Sequence, residues 1–241
     1  MKLLFIAEDV QTNGATTALV PLMLLLVEAG QEVSLFLFWQ NGPWMDKIDP
    51  RVRLLPELLP YKVSRMSRYA GMRHAMKRGN LGVAMRRALA AIGARFGWKI
   101  DKYSILKTAP KIPGEYDVVI GFTVGCSWWV AHEKVAARHR IAWVDNDLKS
   151  VAGEWRRFMR PEQFDALVFE SNGCRDEFRL MYPSLAVRAF TVHNTVDEVR
   201  VRHMAQEAIG HYPKKRFRLV TVGRLTWQKG TDLIPQIVAQ L

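Results

Sequence analysis

The sequence predicts an α/β protein built on a doubly wound, parallel β-sheet. Short apolar runs alternate along the chain with stretches of helical character, which is the order that parallel sheets with helical crossovers require. The runs are almost continuously apolar, as expected of strands that are buried on both faces. Seven runs are predicted to be strands: Leu3–Ala7, Val33–Phe38, Val52–Leu55, Val118–Phe122, Ile141–Val144, Ala166–Phe169 and Val187–Val192.

The helices between these strands follow from their end signals. The first runs from about Gly14 to Ala29 and stops at Gly30, a common residue just past a helix end. It is apolar almost all round, so we expect it to pack on the sheet. Later helices are predicted near Glu162, from Ser171 to Met181 before Pro183, and from Val196 to Ala208.

The end of the chain predicts the start of a second domain. The first domain covers residues 1–205, and a polar linker with Pro213 follows over 206–217. In the segment 218–241, the run Leu219–Val222 is predicted to be a strand, closed by Gly223, with a helix start after it. One strand and one helix cannot build a core alone. We therefore expect their apolar residues to dock on the first domain, pair with another copy or stay mobile.

The positive charge is concentrated in one segment. The chain has a formal net charge of +12, and the segment 62–111 holds 13 Lys and Arg against one acid, Asp101. A block of this kind indicates an anionic partner. The start of the chain does not resemble a signal peptide, since Glu8 and Asp9 follow its apolar residues at once. Cys126 and Cys174 lack metal or redox spacing, and we expect a cytoplasmic protein.

The second half of the basic segment, residues 62–111, predicts a basic amphipathic helix. Its apolar stripe consists of Leu81, Met85, Ala88, Leu89, Ile92 and Phe96. The cations that could face a membrane are Arg78, Arg86, Arg87 and Arg95. Two interpretations stay open. The stripe packs on the parent sheet with the cations in water, or this surface rests on anionic lipid, where each nearby cation contributes about 1 kcal/mol.

Polar residues follow two of the predicted strands. Asn13, Gly14 and Thr16 come after the first, where backbone N–H groups at a helix start would favour an anion or a sugar hydroxyl. Asp145 and Asp147 come after Ile141–Val144, and Asp147 could orient an acceptor hydroxyl. The alternative is a capped turn. Loops at the carboxyl ends of neighbouring strands converge, so we expect these residues to meet with 121–125 at one edge of the sheet.

Arg224 and Lys229 form the last candidate site. They lie five residues apart across the predicted strand-to-helix loop, so both can converge on one anion outside the strand's carboxyl end. A guanidinium offers a planar fork and an ammonium a point charge, which together suit a diphosphate. The alternative is two solvated cations on a surface loop.

The residues around this pair carry a resemblance. Val222-Gly-Arg-Leu followed by Lys229-Gly-Thr-Asp-Leu-Ile234 resembles the loop that opens the nucleotide-sugar domain of retaining family 4 glycosyltransferases. The resemblance implies a GT-B architecture, in which a Rossmann-like acceptor domain precedes the donor domain. It also implies that Arg224 and Lys229 bind the donor diphosphate. Asn13, Gly14 and Thr16 then match the family's glycine loop, with Asn13 in place of its first glycine.

The same resemblance implies a reaction. A sugar passes from a nucleotide-sugar to a hydroxyl of a lipid-linked or saccharide acceptor, and its configuration is retained. The reaction needs no cofactor and no obligatory metal. It would serve cell-surface polysaccharide or glycolipid assembly. Asp145 stands where a His is usual in the most similar subgroup, and Asp147 matches an Asp of the pattern. The family completes its donor site with two glutamates further on, so we expect the 241 residues alone to have little or no activity.

Two other classes remain open. One is a non-catalytic acceptor- or membrane-binding module without a donor half, and the other is a nucleic-acid-binding protein that uses the basic segment. Against the latter, the segment has few aromatic residues and no nucleic-acid motif. For a glycosyltransferase, the basic segment predicts a peripheral position at the inner face of the plasma membrane.

Overall fold

A seven-stranded, all-parallel sheet forms the centre of the protein. The computed structural model describes residues 1–95, 103–145, 160–207, 219–226 and 229–240. The strands are β1 (Lys2–Ala7), β2 (Glu32–Leu37), β3 (Arg53–Leu54), β4 (Glu115–Gly121), β5 (Ala136–Val144), β6 (Ala166–Phe169) and β7 (Ala189–Thr191). All seven predicted strands are present, and the predicted doubly wound, Rossmann-like α/β fold is confirmed.

The strand order is β3-β2-β1-β4-β5-β6-β7. The chain winds outward from β1 in one direction through β3 and then returns to place β4 on the other side of β1. Leu3–Ile6 pairs with Val118–Gly121, while the whole of β1 also pairs with β2. The order therefore reverses between β1 and β4, and such a switch point leaves a crevice outside the carboxyl ends of the two strands.

Helices lie between the strands along the chain, and further helices follow the last strand. In the described residues they are α1 (Gly14–Glu28), α2 (Leu59–Arg65), α3 (Arg68–Lys77), α4 (Leu81–Arg95), α5 (Tyr103–Leu106), α6 (Cys126–Glu133), α7 (Asn172–Met181), α8 (Glu198–Met204) and α9 (Ile234–Val238). The helix predicted near Glu162 is a short 3₁₀ turn, Pro161–Gln163. Within the described residues, no helix is both long enough and apolar enough to cross a bilayer.

The core lies on both faces of the sheet because successive residues of a strand point to opposite sides. Leu3 and Phe5 of β1 pack with Leu19 of α1 in one apolar cluster. Leu4 and Ile6 belong to a second cluster on the other face, with Phe36, Phe38, Tyr61 and Val130. Each face of the sheet is thus closed by its own helices, as a doubly wound fold requires.

The basic segment folds into helices with a small core of their own. A turn at Gly79, whose φ of +68° suits glycine, joins α3 to α4. We call α3 and α4 together (residues 68–95) the basic hairpin. Its small apolar side chains Ala75, Val83 and Ala84 form a buried cluster with Val63 of α2. These side chains allow the two helices to pack closely against α2.

The apolar stripe predicted on α4 faces solvent. Leu81, Met85, Leu89 and Ile92 are 70%, 65%, 52% and 54% exposed. The interpretation in which this stripe packs on the parent sheet is therefore wrong, because the opposite face of α4 is the buried one. Ala88 is half-buried, and Phe96 lies outside the described residues.

The prediction that Arg87 is a membrane-facing cation is wrong, because Arg87 is only 5% exposed. Its Nη2 donates to the backbone oxygens of Val63 and Met66, the latter at 3.0 Å. Burial, together with nearby Arg68, lowers the pKa of Arg87 from its usual value. Arg87 therefore ties α4 to the end of α2.

The chain divides into two compact units, Met1–Asp197 and Glu198–Leu241. In the second unit, the helix predicted over 196–208 is shorter, Glu198–Met204, and the helix after the loop is Ile234–Val238. From residue 208 onward, the predicted linker lies outside the described residues.

The strand predicted over Leu219–Val222 is wrong. These residues form no strand and are exposed, with Val222 at 93%. A strand needs a neighbour to accept and donate its backbone hydrogen bonds. The described part of this unit contains no strand that could be that neighbour. The apolar sequence alone therefore did not suffice to form one.

Candidate functional site

A cavity of about 240 Å³ occupies the crevice between β1 and β4. It lies between the loop that follows β1 and the loop that follows β4, at the switch point of the sheet. Its lining residues are Ala7, Glu8, Asp9, Asn13, Ala15, Thr16, Leu19, Arg65, Phe122, Thr123 and Val124. Two of the three residues predicted after β1, Asn13 and Thr16, thus line this cavity.

The start of α1 is fixed by Asn13. Its Oδ1 accepts a hydrogen bond from the backbone N–H of Thr16 at 2.8 Å, which makes Asn13 the N-cap of the helix. Thr16 is buried in the wall of the cavity, whereas Gly14 is exposed and a Cβ there would meet nothing within 4 Å. Packing therefore does not require glycine at position 14.

Two carboxylates and one guanidinium meet just beyond the carboxyl end of β1. Arg65 at the end of α2 donates through Nη1 to Glu8 and through Nη2 to Asp9, the latter at 2.7 Å. Burial acts to lower the pKa of Arg65, but Glu8 and Asp9 outweigh burial and raise it. The guanidinium is therefore held in its charged form between the two acids.

Sequence reasoning missed this cluster. Glu8 and Asp9 directly follow the first strand, so the signal that singled out Asp145 applied to them as well. Instead they served only as an argument against a signal peptide. Arg65 carried no such signal, because it belongs to an insert 56 positions further along the chain than Asp9.

The loop after β4 has an unusual backbone. Thr123 has a φ of +77°, a left-handed conformation that is uncommon for a residue other than glycine. Ser127 donates its hydroxyl to the carbonyl oxygen of Thr123 and holds the turn. At Gly121, a Cβ would lie 2.9 Å from Cα of Trp128, so only glycine fits there. This loop is fixed in shape where it lines the cavity.

Asp145 joins the same edge of the sheet from β5. Its Oδ1 accepts a hydrogen bond from the backbone N–H of Val124 at 3.3 Å. The expected convergence of Asn13, the segment 121–125 and Asp145 at the carboxyl edge is therefore observed. The side chain of Asp145 supports the loop after β4, while Asp147 lies outside the described residues.

The charge of the crevice indicates what it can bind. Its charged lining residues are Glu8, Asp9 and Arg65, so acids outnumber cations. Carboxylates accept hydrogen bonds from hydroxyl groups and repel phosphates. In the described part of the chain, no group of three or more His, Cys, Asp or Glu residues could hold a metal ion. The crevice thus suits a ligand with hydroxyl groups.

A larger cavity, of about 490 Å³, lies at the opposite edge of the sheet. It is formed by the amino ends of the strands, including Lys2, Glu115 and Asp117. Asp117 accepts a hydrogen bond from the backbone N–H of Lys2 at 2.8 Å, which lowers the pKa of its carboxyl. Ligands of open α/β sheets bind at the carboxyl edge. We therefore consider the smaller crevice the candidate site.

Arg224 and Lys229 lie on one compact turn of the second unit. The backbone N–H of Thr226 donates to Arg224 O at 2.8 Å, and that of Lys229 donates to Thr226 O at 2.9 Å. A Cβ on Gly223 would lie 3.9 Å from Cγ of Lys229, so the lysine stem runs beside the residue that precedes Arg224. Both side chains are exposed. The stem of Lys229 therefore lies near the backbone that leads into Arg224, and no strand directly precedes Arg224 in the described residues.

The four cations predicted to face a membrane have different surroundings. Arg78 and Arg86 are exposed, and Arg87 is buried. Arg95 is the last residue of α4, and its side chain is outside what the structure describes.

The sequence was compared with models of protein families and with curated proteins. Neither comparison gives a match.

Proposed function

We propose that the protein is a glycosyltransferase that transfers a sugar from a nucleotide-sugar to a hydroxyl group with retention of configuration. The observation that carries this proposal is the turn with Arg224 and Lys229. Its sequence resembles the donor loop of retaining family 4 glycosyltransferases, and the stem of Lys229 runs beside Gly223.

The chemistry of the turn supports a diphosphate ligand. In the reaction, the nucleoside diphosphate leaves with the negative charge that develops as the glycosidic bond breaks. Cations placed beside the leaving oxygens stabilise that charge. Arg224 can offer two parallel N–H donors and Lys229 a mobile ammonium, and their exposure leaves both able to reach a ligand.

The crevice at the switch point supports an acceptor with hydroxyl groups. Glu8 and Asp9 present carboxylate oxygens. The positive charge of their shared partner Arg65 offsets the repulsion between the two carboxylates. A carboxylate that accepts a hydrogen bond from a hydroxyl both orients it and increases its nucleophilicity. Asp145 contributes by holding the loop that carries Thr123 and Val124.

The proposed acceptor is a saccharide or a lipid-linked saccharide of cell-surface polysaccharide or glycolipid assembly. The proposed donor is a UDP- or GDP-sugar, and the protein works in the cytoplasm without a cofactor. A nucleic-acid-binding role is less well supported, because the exposed stripe of α4 is apolar but carries no aromatic side chain in the described residues.

Calorimetric titration with UDP, GDP and their sugars tests the proposal. We expect saturable binding that Arg224→Ala and Lys229→Ala each weaken at least tenfold, because a charge-assisted hydrogen bond is typically worth about 1.5–3 kcal/mol. Arg202→Ala is the matched control, since it removes an exposed cation of the same unit that pairs with Glu198. Binding that all three variants weaken equally, or no binding to any of these ligands, would contradict the proposal.

A further inference from the structure

The exposed face of α4 is a regular apolar surface on the basic hairpin. Leu81, Met85, Leu89 and Ile92 recur at helical spacing, and each is at least half exposed. Residues four apart on a helix lie one above the other, so the four side chains form one continuous stripe. Contiguous apolar surface of this kind marks an interaction site in a soluble domain.

The stripe is not the face of α4 that packs in the protein core. The opposite face of α4 is already buried, with Val83 and Ala84 packed against Val63 and Ala75. Arg87 fixes that orientation through its bonds to Val63 O and Met66 O. Turning α4 to bury the stripe would expose this core and break both bonds. The stripe is therefore presented to solvent by the way the hairpin packs.

The charge around the stripe has one sign. The basic hairpin, residues 68–95, contains seven Lys and Arg and no Asp or Glu. On α3, Arg68, Arg73 and Lys77 are exposed, and Arg86 is exposed beside the stripe on α4. An exposed apolar stripe next to cations alone is the pattern of helices that lie in the interface of an anionic membrane.

We propose that the basic hairpin docks on an anionic lipid bilayer, with the α4 stripe inserted among the acyl chains and the flanking cations at the headgroups. This proposal does not depend on the transferase function. A second copy of the chain is the poorer partner, because two such basic faces repel each other. Nucleic acid offers phosphates but no apolar phase for four aliphatic side chains.

Vesicle flotation tests the proposal with the full chain. We expect binding to mixed phosphatidylcholine–phosphatidylglycerol vesicles that weakens as salt rises, and little binding to phosphatidylcholine alone. Met85→Asp and Leu89→Asp should each reduce binding at least tenfold, since each places a charge among acyl chains. Leu180→Asp is the matched control, because Leu180 is 82% exposed on α7 and outside the hairpin.

The cations are tested separately from the stripe. Arg73→Gln and Arg86→Gln should each weaken binding to the mixed vesicles about fivefold, the effect of one cation near an anionic surface. Arg202→Gln should leave binding unchanged. Circular dichroism checks that every variant keeps its fold.

Three results would overturn the proposal. They are equal binding to neutral and anionic vesicles, equal losses in Leu180→Asp and Leu89→Asp, and binding to neither vesicle. In a parallel assay, salt-sensitive binding to a DNA duplex that Leu89→Asp does not affect, without vesicle binding, would assign the surface to nucleic acid. Dimerisation that Leu89→Asp abolishes, again without vesicle binding, would assign it to a second copy.

Discussion

Nη2 of Arg65 lies 2.7 Å from Oδ2 of Asp9, and this contact joins the end of α2 to the loop after β1. The basic segment therefore does more than supply a charged surface. Its first helix delivers a cation to the crevice at the switch point, where Arg65 also contacts Glu8. The shape and charge of the candidate site thus depend on an element that is remote in sequence.

Replacing Arg65 should destabilise the protein. Arg65→Met leaves Glu8 and Asp9 side by side without their cation, and both are largely buried. Removing one partner of a buried ion pair costs up to 3–5 kcal/mol, and because this cluster is partly exposed we expect about 2 kcal/mol. Urea unfolding measures the change.

The matched control for Arg65 is Arg51→Met. Arg51 pairs with Asp49 on the surface, where the arginine side chain is 56% exposed, so its loss should change the free energy of unfolding far less than the loss of Arg65. Equal effects of the two substitutions would show that the Arg65 cluster is not a structural part of the crevice.

Arg87 should behave differently from its neighbour Arg86. Arg87→Met leaves the carbonyl oxygens of Val63 and Met66 without the donor they have in the structure. Leaving a buried polar group unsatisfied costs about 1–3 kcal/mol, and we expect a loss of about 2 kcal/mol in the free energy of unfolding. Arg86→Met removes an exposed cation and should change it by less than about 0.5 kcal/mol. A larger effect at Arg86 would contradict the packing of α4.

Tyr61 makes stability depend on alkaline pH. Burial raises the pKa of Tyr61 above its usual value of 10.0. The Tyr61 hydroxyl also donates a partly buried hydrogen bond to Pro110 O. The unfolded chain ionises this hydroxyl near pH 10, whereas the folded protein resists ionisation. The contribution of Tyr61 is therefore complete below about pH 10 and is lost as the pH rises above it.

The test compares Tyr61→Phe with Tyr69→Phe in denaturant unfolding across this pH range. At neutral pH, Tyr61→Phe should cost about 1 kcal/mol, the value of one hydrogen bond. The difference from the unmodified protein should shrink above pH 10. Tyr69 is 70% exposed, and its replacement should have little effect at any pH. A pH-independent difference at Tyr61 would contradict the burial of its hydroxyl.

The sequence predicts the sheet well because each strand carries its own apolar pattern. Every run from Leu3–Ala7 to Val187–Val192 became a strand, and each found a parallel neighbour. Leu219–Val222 has an equally apolar pattern but no strand beside it in the described part of its unit. Local pattern therefore predicts a strand only where the rest of the sheet is present to pair with it.

The candidate site was predictable only in part. Asn13 and Asp145 could be placed at the carboxyl edge, because position after a strand decides which edge a residue occupies. Two features could not be predicted in this way. One is the contact of Arg65 with Asp9, and the other is which face of α4 is buried. Both depend on how the basic hairpin packs, since periodicity locates the stripe but does not say whether it faces protein or water.

The most direct test of the proposed function is to map nucleoside diphosphate binding on the chain by nuclear magnetic resonance. The isotopically labelled protein is titrated with UDP and with GDP, and the backbone amide shifts are followed residue by residue. We predict that the largest shifts occur at Arg224, Lys229, Gly230 and Thr231, and that Arg224→Ala moves their titration midpoint to at least tenfold higher nucleotide concentration. Shifts centred on the carboxylate-lined crevice around Glu8 and Asp9, or no shifts with either nucleotide, would contradict the account.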